Sequence, residues 1–151
     1  MREIAGIAGF QALAGQHVAI SEWITITQQR IDTFADATDD HQWIHVDADR
    51  CARESPYGCT VAHGFLTLSL LPAMLQNALH MTGISMAINY GLNKVRFPAP
   101  VPVGSRLRAR LDILSVDALA EGAQVNWAVS MEREGDTKPV CVAEFLMRCY
   151  P

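Results

Sequence analysis

The chain is 151 residues long with a formal net charge of −4, half apolar by count and only 19% charged. Such a composition excludes a disordered tail, and the acidic balance excludes general nucleic-acid binding, which needs a basic excess. At this length roughly two thirds of the unfolded surface can be buried, so a single domain spanning residues 1–151 needs no covalent staples. The four cysteines, Cys51, Cys59, Cys141 and Cys149, have neither C-x-x-C nor zinc-finger spacing and read as free thiols.

In residues 1–15, Glu3 interrupts a would-be basic start and Gly6 and Gly9 dilute the apolar stretch, so no signal peptide is expected there. No apolar run approaches the roughly eighteen residues of a membrane span, and the expected address is the cytoplasm. From His17 to Ile26 the residues are β-branched and alternating, which predicts a strand. Thr27 fits an N-cap, and Ile31, Phe34, Ala35 and Thr38 share one helical face, which predicts a short helix over Thr27–Ala37. Another short helix is expected over Asp47–Glu54, ended by the turn residues Ser55-Pro56-Tyr57-Gly58.

His63 to Leu79 is apolar almost all round, which predicts a buried helix, kinked or joined at Pro72. Four strand-like stretches follow: Met86–Phe97, Arg106–Val116, Gln124–Glu132 and Val140–Tyr150. Phe97–Gly104 is an extended proline-rich connector, and Glu134-Gly135-Asp136 is a turn. One apolar helix and an antiparallel meander make an α+β fold, and the economical arrangement is a sheet wrapped around one long central helix, the hot-dog fold.

Reactive groups are densest in Asp39-Asp40-His41-Gln42-Trp43-Ile44-His45-Val46-Asp47, where the chain leaves the first helix. Asp40 and His45 are an acid and a base that a folded-back loop can bring onto one small molecule. The plain alternative is a polar loop with a surface histidine. His63-Gly64 stands directly before the apolar helix, where free amides can bind a polarised carbonyl oxygen and glycine permits close approach. The plain alternative there is a glycine at a helix start. Lys94 and Arg96 share one strand face, as do Arg106, Arg108 and Arg110; they could meet phosphates or simply face solvent. The chain has no dinucleotide fingerprint, Walker A loop, G-x-S-x-G elbow or H-E-x-x-H.

Three blocks in order resemble the MaoC-like dehydratases, the (R)-specific enoyl-CoA hydratases, and within them the branch similar to nodulation protein N. They are Phe34 to His45, Val61 to Leu71 and Tyr90 to Gly104. The resemblance implies that Asp40 and His45 are the catalytic pair of a motif Gly-Asp-x-Asn-Pro-(Leu/Ile/Val)-His. This chain has Asp39 for its Gly, Gln42 for its Asn and Trp43 for its Pro. It further implies reversible hydration of a trans-2-enoyl-CoA to the (R)-3-hydroxyacyl-CoA, with the thioester carbonyl at Gly64. Gln42, His63, Gly64, Phe65, Lys94 and Arg96 are the substrate-binding candidates. No metal, nicotinamide or flavin is implied, no nucleic acid or membrane partner, and the expected assembly is a homodimer. A thioesterase on the same fold and a non-catalytic acyl-CoA-binding module are the alternatives.

Overall fold

The computed structural model describes residues 1–151. In chain order its first half contains β1 (Arg2–Ala5), α1 (Gly6–Ala12), β2 (His17–Ile20), β3 (Ile24–Thr25), α2 (Gln28–Thr38), α3 (Trp43–Val46) and α4 (Ala48–Glu54). Its second half contains α5 (Gly64–Ser69), α6 (Leu71–Ala78), β4 (Leu79–Thr82), β5 (Met86–Arg96), β6 (Arg106–Leu119), β7 (Gly122–Arg133) and β8 (Cys141–Tyr150). The main sheet runs β2-β6-β7-β8-β5 and is antiparallel throughout, with β3 also on β6. This is the α+β hot-dog arrangement, a sheet with helices packed on one face.

Period-two alternation assigns the faces of the sheet. Leu107, Ala109, Leu111 and Ile113 of β6, Val125, Trp127, Val129 and Met131 of β7, and Ala143, Phe145 and Met147 of β8 are buried on the inner face. They form one cluster of 28 buried residues with Ile31 of α2 and with Leu66, Leu71, Met74, Leu75 and Ala78 of α5 and α6. Cys141 and Cys149 also lie inward on β8, where burial pushes both thiols up to about 11, well away from reactive thiolate.

Several boundaries differ from expectation for identifiable reasons. The strand expected over His17–Ile26 is broken into β2 and β3. At the break, Ser21 donates its N–H to the Ala109 carbonyl, and its hydroxyl accepts the Ala109 N–H at 2.8 Å, so a side chain replaces one rung. Thr27 lies just outside α2 as its cap, its hydroxyl accepting the Arg30 N–H. The long central helix is two helices meeting at Leu70, with Pro72 in the first turn of α6, where its missing N–H costs nothing. Nor is that pair buried all round. Phe65 is 69% exposed and Ser69 is exposed, because one face alone meets the sheet.

The sequence pattern did not announce β1, α1 or β4. Ile4 and Phe10 nonetheless enter the core, Phe10 standing edge-on to Trp127 at 6.2 Å, and β1 pairs in parallel with β4. At the opposite end of the main sheet β5 is an edge strand bonded only to β8. Its apolar side chains Met86, Ile88, Tyr90 and Leu92 are 40–53% exposed.

Candidate active site

The loop after α2 begins with a left-handed residue. Asp39 caps the helix at φ 56°, its N–H bonded to the Ala35 carbonyl. Asp tolerates this conformation better than most residues, which explains how it can stand where the resembling motif has Gly. The turn presents Asp40, whose side chain is 52% exposed and accepts one long contact, 3.4 Å, from the Gln42 N–H. Gln42 serves as the N-cap of α3, with its exposed side chain unbonded. Trp43, in place of the motif's Pro, turns toward α4, where Arg50 stacks over its ring at 4.3 Å, so its bulk stays out of the cleft.

His45 on α3 is 7% exposed and bound from two sides. Its Nδ1 lies 2.7 Å from the Val61 carbonyl, and since a carbonyl can only accept, Nδ1 carries the hydrogen. In the neutral ring, Nε2 is therefore an open acceptor. Desolvation holds the imidazole below its ordinary value; the Val61 hydrogen bond opposes that, the His63 ring adds to it and Asp40 opposes it. The His45 backbone is also clamped: Gln28 Nε2 donates to its carbonyl at 2.8 Å, and Thr60 donates its hydroxyl to Gln28 Oε1. Sequence reasoning missed Gln28 and Thr60. A polar pair 32 residues apart leaves no local signature.

His63 precedes α5, and its side chain is 3% exposed. Its Nε2–H donates to the Asp40 carbonyl at 2.9 Å, and its ring stacks on His45 with centroids 3.7 Å apart. An Asp40 carboxylate oxygen and one ring nitrogen of each histidine all lie within 4.8 Å of one another. Those donor types would suit a transition metal. His45 Nδ1, however, is committed to the Val61 carbonyl and His63 Nε2 to that of Asp40, which leaves His45 Nε2 and the Asp40 carboxylate as the open groups. A single water making two hydrogen bonds of about 2.8 Å spans a gap of this size, and the cluster has the dimensions of a water clamp.

A cleft of about 360 Å³ opens beside His45, walled by Ile44, Tyr57, Val61, Phe97, Ala99 and Val101 and floored by Gly64. Glycine lets the Phe97 ring pack directly on the backbone there, because a Cβ on Gly64 would sit 3.0–3.1 Å from that ring and push it aside by a few tenths of an ångström. The first intrahelical acceptor of α5 is His63, bonded by the Thr67 N–H, which leaves the amides of the first turn, Gly64 and Phe65 among them, without helical partners. They are available to a carbonyl oxygen. The Phe65 side chain instead projects outward, edge-on to Phe97 at 6.2 Å.

The structure does not bring every sequence candidate to this cleft. Of Asp40, His45 and His63 only His45 lines the cleft; the Asp40 and His63 side chains stand beside it, and His63 spends its Nε2–H on the Asp40 carbonyl, which departs from its expected contact with substrate. Lys94 and Arg96 pair in register with Glu144 and Val142 on the outer face of the sheet, away from α5 and α6. Arg106 and Arg108 lie on that outer face too, ion-paired to Glu134 and Glu132 at 2.8 and 2.9 Å, as a solvated ladder.

Comparison with known proteins agrees with this geometry. Residues 9–134 match the family model described as MaoC like domain. The chain is 52% identical over 149 residues to 3-hydroxyacyl-thioester dehydratase Z of Mycobacterium tuberculosis (strain ATCC 25618 / H37Rv), covering 98% of each. It is 46% identical over 152 residues to Nodulation protein N of Rhizobium leguminosarum bv. viciae, covering 97% of this chain and 91% of that one. Among solved structures, R-Hydratase PhaJ1 from Pseudomonas aeruginosa superposes with a TM-score of 0.76 at 24% identity, over 96% of this chain and 85% of that one. That likeness speaks for the fold.

Proposed function

Because the chain belongs to the MaoC-like domain family and is a dehydratase of the hydro-lyase class, we propose that it is an (R)-specific enoyl-CoA hydratase. The reaction is reversible addition of water to a trans-2-enoyl-CoA, giving the (R)-3-hydroxyacyl-CoA. The observation that carries this reading is the neutral His45 in the wall of an apolar cleft, its Nε2 open and the Asp40 carboxylate within 4.8 Å of its imidazole.

In the forward direction one water sits between Asp40 and His45. Its oxygen attacks C3 while His45 Nε2 takes one of its protons; the other hydrogen stays on that oxygen as the new hydroxyl and donates a hydrogen bond to the Asp40 carboxylate, which faces the imidazolium that forms. Electron density moves from the C2–C3 double bond onto the thioester oxygen. Amides of the first turn of α5, at Gly64 and Phe65, stabilise that charge, and one such preorganised donor is worth about 2.7–4 kcal/mol. His45 then returns its proton to C2. Atoms balance with one water consumed, and the same imidazole handles both transfers on one face of the substrate. The reaction as drawn uses no metal or redox cofactor.

The active assembly is a homodimer in this reading. β5 is an eleven-residue strand with a free edge and exposed Met86, Ile88, Tyr90 and Leu92, which a second copy would cover. Light scattering at micromolar concentration should report a dimer. A fully active monomer would contradict it.

The decisive assay follows the ultraviolet absorbance of crotonyl-CoA and longer enoyl-CoA substrates, with free thiol measured in parallel. Loss of the conjugated enoyl band without thiol release supports the hydratase. Thiol release faster than enoyl loss would make the protein a thioesterase.

A further inference from the structure

The sequence places His63 among the groups that touch substrate, yet the structure gives its side chain different work. Three rings stand in a row: Phe34 of α2, then His63 at a centroid distance of 4.9 Å, then His45 at 3.7 Å, nearly parallel to it. We propose that His63 is a positioning residue of the hydration site, holding Asp40 by its backbone and His45 by its ring face. The proposal rests on the hydratase reading, which makes Asp40 and His45 the reacting pair.

The Asp40 carboxylate must stay free for water, so its aim has to come from the backbone. The Asp40 N–H is tied to the Ala35 carbonyl at 3.2 Å, and its carbonyl receives the His63 Nε2–H at 2.9 Å. Both peptide groups flanking the Asp40 side chain are thereby fixed. This matters because Asp39, just before it, already occupies the left-handed region, from which a loop relaxes unless something beyond the helix restrains it. His63 is that restraint, reaching across from a segment 23 residues away.

The other nitrogen of His63 explains why an imidazole is used at all. Nδ1 is buried and makes no hydrogen bond. A phenyl ring would fill the same slot between Phe34 and His45 with no buried polar atom left unpaired. The imidazole carries that unfavourable atom in order to supply a single N–H to Asp40. Displacement of catalytic groups by a fraction of an ångström to an ångström is enough to slow a reaction strongly.

Two substitutions divide the functions of the side chain. His63→Phe keeps the stacking plane and loses the donor; His63→Gln keeps an N–H donor and loses the stack. With crotonyl-CoA, His63→Phe should lower kcat about tenfold or more while KM stays within about twofold, and His63→Gln should recover part of the loss. An unchanged kcat with only a lower melting temperature would make His63 an ordinary core histidine. A raised KM at unchanged kcat would return it to the substrate-binding set. A wild-type measurement stands even where neither variant folds: long-range ¹⁵N–¹H correlation near neutral pH should show His63 protonated at Nε2 and bare at Nδ1. A proton on Nδ1 would overturn the proposal. Failure of the hydratase reading is distinguishable, since it shows in wild-type protein that hydrates no enoyl-CoA, whatever the His63 tautomer.

Discussion

The cleft and the outer face of the sheet each gather polar residues, and they treat them in opposite ways. On the outer face Arg106, Arg108 and Arg110 stand beside Glu134, Glu132 and Asp112, half-exposed, with Trp23 under two of the guanidinium groups. Each of these three arginines has an acidic partner and water besides. Beside the cleft two imidazoles are nearly fully buried, one nitrogen of His63 has no partner, and His45 keeps an open acceptor beside a carboxylate. An unpartnered buried atom alone does not set a region apart, since Trp127 Nε1 in the core has no partner either; the difference lies in an open acceptor held beside a carboxylate, against arginines that are paired and solvated.

Substitutions sharpen that contrast in order of size. Asp40→Asn and His45→Gln should each lower kcat at least about 10²-fold with the circular dichroism unchanged, because each removes proton handling and conserves volume. Full activity in either folded variant would remove that residue from the mechanism. Gln28→Leu, which releases the His45 carbonyl, should cost about tenfold in kcat with little change in KM, since Gln28 aims the base without touching substrate. Unaltered turnover in folded Gln28→Leu would show that α3 needs no such clamp.

The two histidines of the loop after α2 give a pH test. His41 is exposed and bonded to Asp36, which raises its pKa; His45, four residues on, is held below the ordinary 6.5, chiefly by desolvation. A base with a lowered pKa stays unprotonated as pH falls through 6.5, so the acid limb of kcat/KM should lie below that value. A limb at or above 6.5 would mean that His45 is not the titrating base. The smallest effect belongs to the ladder. Arg106→Gln or Arg108→Gln should leave kcat/KM within about twofold and change stability by about 0–1 kcal/mol, the usual worth of exposed ion pairs, as thermal melts can check. A large kinetic loss there would erase the distinction between the two regions.

Much of this molecule is legible in the residues themselves. Alternation in β6, β7 and β8 gives both faces of the sheet, Thr27 gives the start of α2, and Pro72 marks the join of α5 and α6. These are local signals. Whatever depends on contacts distant in sequence stays hidden: the short strand β1 finds its partner 77 positions later at β4, and Gln28 meets Thr60 and the His45 carbonyl only after folding. The motif places Asp40 and His45 on one loop, but the third member of the cluster, His63, arrives from the segment before α5, and only the fold turns it inward. Lys94 and Arg96 mislead for a related reason. Strand alternation says that two residues share a face without saying which face, and the register with Glu144 and Val142 assigns them outward.

The central claim is that one water, one imidazole and one carboxylate act together on a single face of a thioester anchored at Gly64. Hydration of crotonyl-CoA in D₂O tests it most directly, by recovering the product and determining the configuration at C3 and C2. The account predicts the (R)-3-hydroxyl group and one deuterium at C2, added to the same face as the oxygen. A product turned over by an (S)-specific 3-hydroxyacyl-CoA dehydrogenase, or deuterium on the opposite face, would contradict it.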